Sequence, residues 1–307
     1  MARPPGRRAF LRALAAGGAA LALPRWTAAQ TAPLVTKPIP SSGEALPVVG
    51  LGTWITFNVG NDTAARDARA EVMRAFFRAG GRMIDSSPMY GSSEEVIGYG
   101  LKKLGMPKQL FSATKVWTSS RGEGVEQIAT SERLWGISKF DLEQAHNLLS
   151  WEAHLETLAA LKSEGRLRYV GITTSEGRRH DEFEKVMRAR KLDFVQVTYN
   201  IRDREVEERI LPLAAERGMA VIVNRPFRRG ALIAQLEKKP LPPWAGEIGC
   251  ANWAQFLLKF AVSHSAVTCA IPATSRVDHV EENMAAATGP IPDTAMRARM
   301  IDYVKSL

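Results

Sequence analysis

Short apolar runs alternate with longer amphipathic segments along most of the chain. The apolar runs carry few charges, which is typical of strands buried on both faces. Eight of them are predicted as strands: 48–53, 82–85, 110–116, 139–145, 168–173, 194–199, 219–223 and 267–271. A segment with apolar residues at helical spacing follows each run, so the pattern predicts repeated strand–helix units.

The predicted helices span 64–79, 93–104, 124–135, 151–163, 181–189, 206–216, 253–262, 277–287 and 295–304. A longer connection, rich in Arg, Gly and Pro, covers 224–249. Apolar strands that alternate with amphipathic helices indicate an α/β protein with a parallel sheet. Eight such units in one chain of this length predict a (β/α)8 TIM barrel.

Two extended pieces around Ser41-Ser42-Gly43 predict a β-hairpin over 37–47, ahead of the barrel. The competing fold, an open doubly wound sheet, typically carries a G-x-G-x-x-G turn after its first strand. Here Gly50-Leu51-Gly52 lacks the third glycine and closes a strand without opening a helix. No change in composition marks a second domain, so a single barrel domain is expected over 30–307.

The first twenty-nine residues have the composition of an export signal. Arg7-Arg8-Ala9-Phe10-Leu11 precedes an apolar run over 13–23, and small residues follow at 27–29. The paired arginines resemble a twin-arginine signal, which implies export of the folded protein by the twin-arginine machinery of a bacterium. We therefore expect a signal over 1–29 and a periplasmic or otherwise exported protein. The alternative is a basic, Ala-rich helix that belongs to the fold.

Composition narrows the possible partners. The formal charge is +9, but five arginines and no acid lie in the first thirty residues, and no basic stripe interleaved with aromatics follows. Nucleic-acid binding is not expected, and no run of 18 apolar residues predicts a membrane-spanning helix. Cys250 and Cys269 lie in apolar segments and are expected to be buried, with a single bridge between them left open.

Polar side chains stand at the ends of three successive predicted strands. Asp85, Lys115 and His146 end the second, third and fourth strands, and Tyr90 lies in the loop after the second. Taken singly, each has an ordinary structural interpretation, such as a helix cap or a solvated lysine. The carboxyl ends of parallel strands meet at one mouth of a barrel, however, so we expect these four side chains to converge there.

The four residue types suit the reduction of a carbonyl group. Hydride transfer to the carbonyl carbon leaves negative charge on the oxygen, which then needs a proton. The Tyr90 phenol has an ordinary pKa of about 10, and a nearby Lys115 ammonium is expected to lower it. Asp85 would keep Lys115 charged, and His146 would hydrogen-bond the carbonyl oxygen.

The segment 81–91, with its strand, Asp85 and Tyr90-Gly91, resembles the aldo-keto reductase family, and the tetrad occurs in family order. Further similar segments are Gly52-Thr53-Trp54, 170–174, 196–200 and 271–276 followed by Glu281-Glu282-Asn283. The resemblance covers 37–290. It implies an NADP(H)-dependent oxidoreductase that reduces aldehydes or ketones to alcohols, with Tyr90 as the proton donor.

The resemblance also implies a cofactor site. Gln196 would hold the nicotinamide carboxamide, and Tyr199 would stack on the nicotinamide ring. Arg276, just before a helix N-terminus, would bind the 2′-phosphate of NADPH. The full expected set is Gly52, Thr53, Thr173, Thr174, Gln196, Tyr199, Arg225, Pro226, Thr274, Arg276, Glu282 and Asn283.

The chain departs from the family pattern at two of these segments. Thr173-Thr174 replaces a Ser-Asn pair, and Asn224-Arg225-Pro226-Phe227 replaces aromatic-Ser-Pro-Leu. Trp54 and Trp117 are expected to form an apolar wall for the substrate, whose identity the sequence does not specify.

Two alternative functions remain open at this point. The first is a non-catalytic relative that binds nucleotide and acts as a regulatory or sensing subunit. The second is a metal-dependent barrel hydrolase, which would need several His or Asp ligands at strand ends. The chain has only five histidines, and no metal site is expected.

Overall fold

Strands and helices alternate throughout residues 33–307, the part of the chain that the computed structural model describes. The predicted signal over 1–29 and the domain boundary at residue 30 lie outside the described residues. The strands are β1 Thr36–Pro38, β2 Ala45–Pro47, β3 Leu51–Gly52, β4 Met83–Asp85, β5 Phe111–Val116, β6 Leu142–Ala145, β7 Tyr169–Thr173, β8 Phe194–Thr198, β9 Ala220–Asn224 and β10 Val267–Ala270.

The helices flank these strands in the order expected. They are α1 Thr63–Arg78, α2 Ser93–Lys103, α3 Arg121–Trp135, α4 Trp151–Ser163, α5 His180–Ala189, α6 Ile210–Glu216, α7 Ala231–Leu236, α8 Trp253–Ser263, α9 Val277–Ala285 and α10 Thr294–Ser306. Side-chain caps fix several of their starts, because an N-cap oxygen satisfies a free backbone N–H. Asp62 accepts from Ala65 at the start of α1, and Asn252 from Gln255 at the start of α8.

The eight strands β3 to β10 form one sheet in sequence order, and every neighbouring pair is parallel. The sheet curls until its first and last strands meet, through bridges from Val49 to Ala270 and from Gly52 to Ala273. Gly52 is needed at this junction, since a Cβ there would lie 2.5 Å from the Ile271 carbonyl oxygen. This curled α/β sheet is consistent with the predicted (β/α)8 barrel.

The predicted N-terminal hairpin is confirmed by the antiparallel pairing of β1 with β2. Its residues Ile39 and Leu46 pack into an inner apolar cluster with Phe111 and Phe194, which begin strands β5 and β8. The hairpin therefore covers the amino-terminal end of the sheet. The carboxyl ends of the strands, at the opposite mouth, are left for the polar residues.

The main difference from prediction is in the long connection over 224–249. It contains the short helix α7 and a 3-10 turn over Ala245–Ile248, with Leu232, Leu236, Ala245 and Ile248 buried. Short helical turns of this kind lack the two or more turns of spacing that make a helix visible in sequence. Over residues 33–307, no helix is both long enough and apolar enough to cross a membrane.

Candidate active site

Three charged or polar side chains converge at the carboxyl mouth of the sheet, as the strand pattern predicts. Asp85 ends β4, Lys115 is the penultimate residue of β5, and His146 directly follows β6. All three are at least 95% buried. On β5 the alternation of side chains points Phe111, Ala113 and Lys115 to the interior, which delivers the ammonium group to the barrel axis.

Asp85 and Lys115 form a buried ion pair with an Oδ1 to Nζ distance of 2.5 Å. Lys115 also donates to the Ser86 carbonyl oxygen at 2.6 Å. The second oxygen of Asp85 accepts from Gln196 at 3.0 Å and from Gln144 at 3.3 Å. Burial by itself would lower the pKa of Lys115, but Asp85 and Tyr90 together outweigh it and raise that pKa. Lys115 therefore stays charged.

Tyr90 lies in a short 3-10 turn, Pro88–Tyr90, capped by Ser87. The Lys115 ammonium is 5.2 Å from the centre of its ring. Burial raises the pKa of Tyr90, while the Lys115 cation acts in the opposite direction. The Lys115 cation lowers the pKa of the phenol, as the sequence predicted, but burial and the Asp85 carboxylate together outweigh it and the pKa is raised overall. The phenol is consequently protonated at neutral pH.

His146 stands edge-on to Tyr90, with ring centres 5.9 Å apart and planes at 85°. Its Nδ1 is 2.9 Å from the Ser87 hydroxyl oxygen. Burial and the nearby Lys115 cation lower the pKa of His146 well below its ordinary value. The imidazole is therefore neutral at physiological pH and carries a single N–H.

A cavity of about 760 Å³ opens at this mouth. Lys115 lies behind its wall, whereas the other three members of the tetrad line it. The cofactor residues expected from sequence that line the cavity are Gly52, Thr53, Thr173, Gln196, Arg225, Pro226, Thr274, Glu282 and Asn283, and Trp54 lines it as the expected substrate residue.

Tyr199 is not part of this cavity, which corrects its expected stacking role. The Gln196 side chain points into the barrel. Because side chains alternate along a strand, the residue three positions later points to the surrounding helices. The Tyr199 ring is fully buried against Phe260, and its hydroxyl bonds to Glu207 and Arg297. Tyr199 is therefore a core residue between the sheet and the surrounding helices.

Three further expected residues lie outside the cavity lining. Thr174 is buried and donates its hydroxyl to the Arg178 carbonyl oxygen. Trp117 is 42% exposed on the loop after β5, with its backbone N–H bonded to Gln127. Arg276 is exposed and ion-paired with Asp278 in the first turn of α9.

Several residues that the sequence interpretation missed do line the cavity. Asn147 and Ser175 lie just after β6 and β7, Asn224 is the last residue of β9, and His279 lies in the first turn of α9. Asn224 donates to the Thr174 carbonyl oxygen and accepts from Thr198, which fixes its amide group. Its position at the end of a strand was the one available signal, and the same rule that selected Asp85 and His146 could have found it.

Arginines from the loop after β9 meet an acid from the loop after β7. Arg225 and Arg229 both pair with Glu176, the latter at 2.7 Å. The Arg229 guanidinium also lies 4.3 Å above the centre of the Trp54 ring. Burial opposes ionisation of Glu176, but these guanidinium groups lower its pKa overall. The loops therefore meet across the mouth of the cavity.

Within 33–307, no three His, Cys, Asp or Glu side chains lie together in a way that could hold a metal ion. Cys250 and Cys269 are both free and buried. Burial raises the pKa of the Cys250 thiol to about 11. The disulfide between Cys250 and Cys269, which the sequence left as a possibility, is not formed.

A family model described as Aldo/keto reductase family matches residues 48–299. Methylglyoxal reductase YeaE of Escherichia coli (strain K12) is 29% identical over 261 residues, covering 81% of this chain and 88% of that protein. The NADH-specific methylglyoxal reductase of the same organism is 28% identical over 239 residues, covering 67% of this chain and 71% of that protein.

The fold is also found among solved structures. An aldo/keto reductase from Klebsiella pneumoniae in complex with NADP and acetate gives a TM-score of 0.72 at 24% identity. The match covers 85% of this chain and 92% of that chain.

Proposed function

The chain belongs to the aldo/keto reductase family, and we propose that it is an NADP(H)-dependent oxidoreductase that reduces aldehydes or ketones to alcohols. The observation that carries the proposal is the buried Asp85–Lys115 ion pair beside Tyr90, at the edge of a large cavity. A structural ion pair needs no phenol beside it. A phenol beside such a pair can protonate a developing alkoxide, because the cation stabilises the phenolate that is left.

The residues around the cavity suit a dinucleotide. The Nε atom of Arg225 is buried with no hydrogen-bond partner among the described residues, as expected for a group that awaits an anion. Gln196 and Asn224 offer amide groups to a carboxamide, and Thr274 lies just ahead of the α9 N-terminus, which favours phosphate. When bound, the reduced nicotinamide would supply the hydride.

The side chains of the tetrad would act on the carbonyl oxygen. Tyr90 donates its phenolic proton as negative charge develops on that oxygen. Lys115 stabilises the phenolate that is left, and Asp85 holds Lys115 charged and in position. His146, being neutral, hydrogen-bonds the carbonyl oxygen and orients it. The raised pKa of Tyr90 keeps its proton in place until charge appears on the substrate.

The substrate we propose is a small carbonyl compound. Trp54, Ile55 and Met89 give the cavity an apolar side near Tyr90, and the two relatives from Escherichia coli are named methylglyoxal reductases. We propose NADP(H) as the cofactor because a structural neighbour was solved with NADP. Because one relative is named as NADH-specific, the preference for NADPH over NADH needs to be measured.

We also propose that the protein is exported by the twin-arginine machinery. The support is sequence alone: Arg7-Arg8 ahead of the apolar run at 13–23. Export in the folded state would let the protein leave the cytoplasm with its cofactor already bound. Fusion of residues 1–29 to a reporter, with Arg7 and Arg8 both changed to Lys as the control, tests the signal directly.

A turnover assay tests the proposed function. The protein, mixed with NADPH and either methylglyoxal or an aromatic aldehyde, should oxidise the cofactor at a rate that depends on the carbonyl compound. Parallel reactions with NADH measure the cofactor preference. Tight NADPH binding with no turnover on a broad carbonyl panel would instead favour the second candidate, a non-catalytic nucleotide-binding subunit.

A further inference from the structure

Ser87 contacts both of the residues that the proposed mechanism directs at the carbonyl oxygen, Tyr90 and His146. Its side chain is fully buried, and its Oγ is 2.9 Å from His146 Nδ1. The same Oγ accepts the Met89 backbone N–H at 3.2 Å, which caps the turn that carries Tyr90. The Ser87 carbonyl oxygen accepts the Tyr90 N–H at 2.9 Å. One residue therefore contacts both the turn of Tyr90 and the ring of His146.

The hydrogen-bond inventory determines which way the Ser87–His146 bond runs. A serine hydroxyl has one hydrogen to donate and two lone pairs. One lone pair of Ser87 already accepts from Met89. If Ser87 also accepted from His146, its own buried hydrogen would have no acceptor among residues 33–307. Donation from Ser87 Oγ to Nδ1 leaves neither group unsatisfied, and an unmade buried hydrogen bond is costly.

The direction of this bond fixes the chemistry of the other ring nitrogen. Burial and Lys115 lower the pKa of His146, so the ring is neutral and has one proton to assign. With Nδ1 acting as an acceptor, that proton is on Nε2. Nε2 makes no hydrogen bond within the described part of the chain, and His146 lines the cavity. Its N–H is therefore available to a ligand.

We infer that Ser87 is a positioning residue whose hydroxyl holds His146 as the Nε2–H tautomer, so that the imidazole donates a hydrogen bond at the substrate carbonyl oxygen. The inference rests on the proposed function for its consequence in catalysis, but the tautomer itself does not depend on any activity. In the opposite tautomer, Nε2 would present a lone pair to the oxygen and repel the developing negative charge.

The tautomer can be measured on the wild-type protein. In protein labelled with ¹⁵N-histidine at pH 7.5, long-range ¹H–¹⁵N spectra distinguish protonated from unprotonated ring nitrogens, and a His146→Gln variant assigns the signals. We expect His146 to carry its proton on Nε2. A proton on Nδ1 in the wild-type protein would overturn the inference, whether or not the protein reduces carbonyl compounds.

Variants then connect the tautomer with the rate. Ser87→Ala should give a mixture of His146 tautomers and lower kcat by roughly 10–10²-fold, part of the about 10²–10³-fold loss seen when an oxyanion donor is removed. The Kd for NADPH should stay within about twofold, because Ser87 is not among the residues lining the cavity. Ser87→Thr, which keeps the hydroxyl, should restore both the tautomer and kcat.

A matched control is Ser112→Ala, which also removes a buried serine hydroxyl. Ser112 lies at the start of β5, the end of that strand away from Lys115, and its hydroxyl bonds to Asp141. It should leave the His146 spectrum and kcat unchanged. A folded Ser87→Ala protein with the wild-type tautomer and wild-type kcat would contradict the inference, as would a folded Ser87→Thr protein that restores neither. If the wild-type protein reduces no carbonyl compound, the proposed function fails and the spectrum alone decides the tautomer.

Discussion

Two buried carboxyl groups, Glu94 in the first turn of α2 and Glu143 on β6, differ in what surrounds them. Glu94 accepts hydrogen bonds from Thr114, Ser131 and Trp135 at 2.6–3.2 Å. Both oxygens of Glu143 are buried with no partner among residues 33–307. Burial, together with the nearby Glu94 and Glu132 carboxylates, raises the pKa of Glu143 well above its ordinary value. The Glu143 carboxyl group is therefore protonated in the folded protein.

Glu143→Gln should stabilise the protein at pH 7–8 and change little near pH 4. Below the ordinary glutamate pKa, both folded and unfolded states hold the proton, and Glu143 costs no stability through ionisation. Above that pKa the unfolded chain loses the proton first, so folding weakens by about 1.4 kcal/mol per pH unit until the folded pKa is reached. A glutamine at position 143 cannot ionise, so the variant does not lose this stability as the pH rises.

Urea unfolding of the two proteins from pH 4 to pH 8 measures the difference. The exposed variant Glu126→Gln, also an acid-to-amide change, should show no such trend. A Glu143→Gln stability difference that is the same at every pH would mean that Glu143 is not protonated in the fold.

The residues that the sequence predicted are those whose chemistry is unusual for their position. Asp85, Lys115 and His146 stand out because charged or polar groups rarely end buried strands. Ser87 and His279 could not be found in the same way. Serine is ordinary in a Ser-Ser-Pro turn, and the importance of its hydroxyl depends on a ring that arrives from 59 positions later in the chain.

The positions of the strands were predicted better than the direction in which the side chains at the strand ends point. Strand β8 was located within one residue, yet Tyr199 was assigned to the cavity although side chains alternate along a strand. Gln196 faces the Asp85 carboxylate, so Tyr199, at an odd spacing, faces the helices. Strict use of the two-residue period would have separated the two positions.

The first turn of α9 is the element where cofactor preference can be tested. Arg276 is held by Asp278 in a two-point contact, and a 2′-phosphate would compete with that carboxylate for the same guanidinium. Asp278→Asn should therefore tighten NADPH relative to NADH. Arg276→Ala should weaken NADPH by about fivefold, the upper end for an exposed charge pair, and leave NADH nearly unchanged.

Fluorescence titration of each variant with both cofactors provides the measurement. Arg299→Ala, which removes an exposed arginine paired with Glu247, is the matched control and should alter neither affinity. Equal losses of NADPH and NADH in Arg276→Ala would exclude Arg276 from a role in selecting the 2′-phosphate.

For the whole molecule, the order of strands and helices was predictable because it depends on local periodicity repeated along the chain. The loop conformations at the mouth were not. Ile55, Asn147, Glu176 and Arg225 all have positive φ, between 51° and 63°, which L-residues rarely adopt. Contacts between distant loops, such as the Arg225–Glu176 pair, accompany these conformations. Since such contacts join residues that are far apart in the sequence, no local pattern predicts them.

We propose that the converging side chains make Tyr90 the proton donor in carbonyl reduction, and the Tyr90→Phe variant tests this role. The change removes one hydroxyl and keeps the ring beside Lys115 and His146, so the thermal midpoint and NADPH affinity should be preserved. The measurement is kcat for a carbonyl substrate that the wild-type protein reduces. We predict a fall of at least about 10²-fold, the lower range for loss of a general acid. A Tyr90→Phe protein that retains most of its carbonyl reductase activity would show that Tyr90 is not the proton donor.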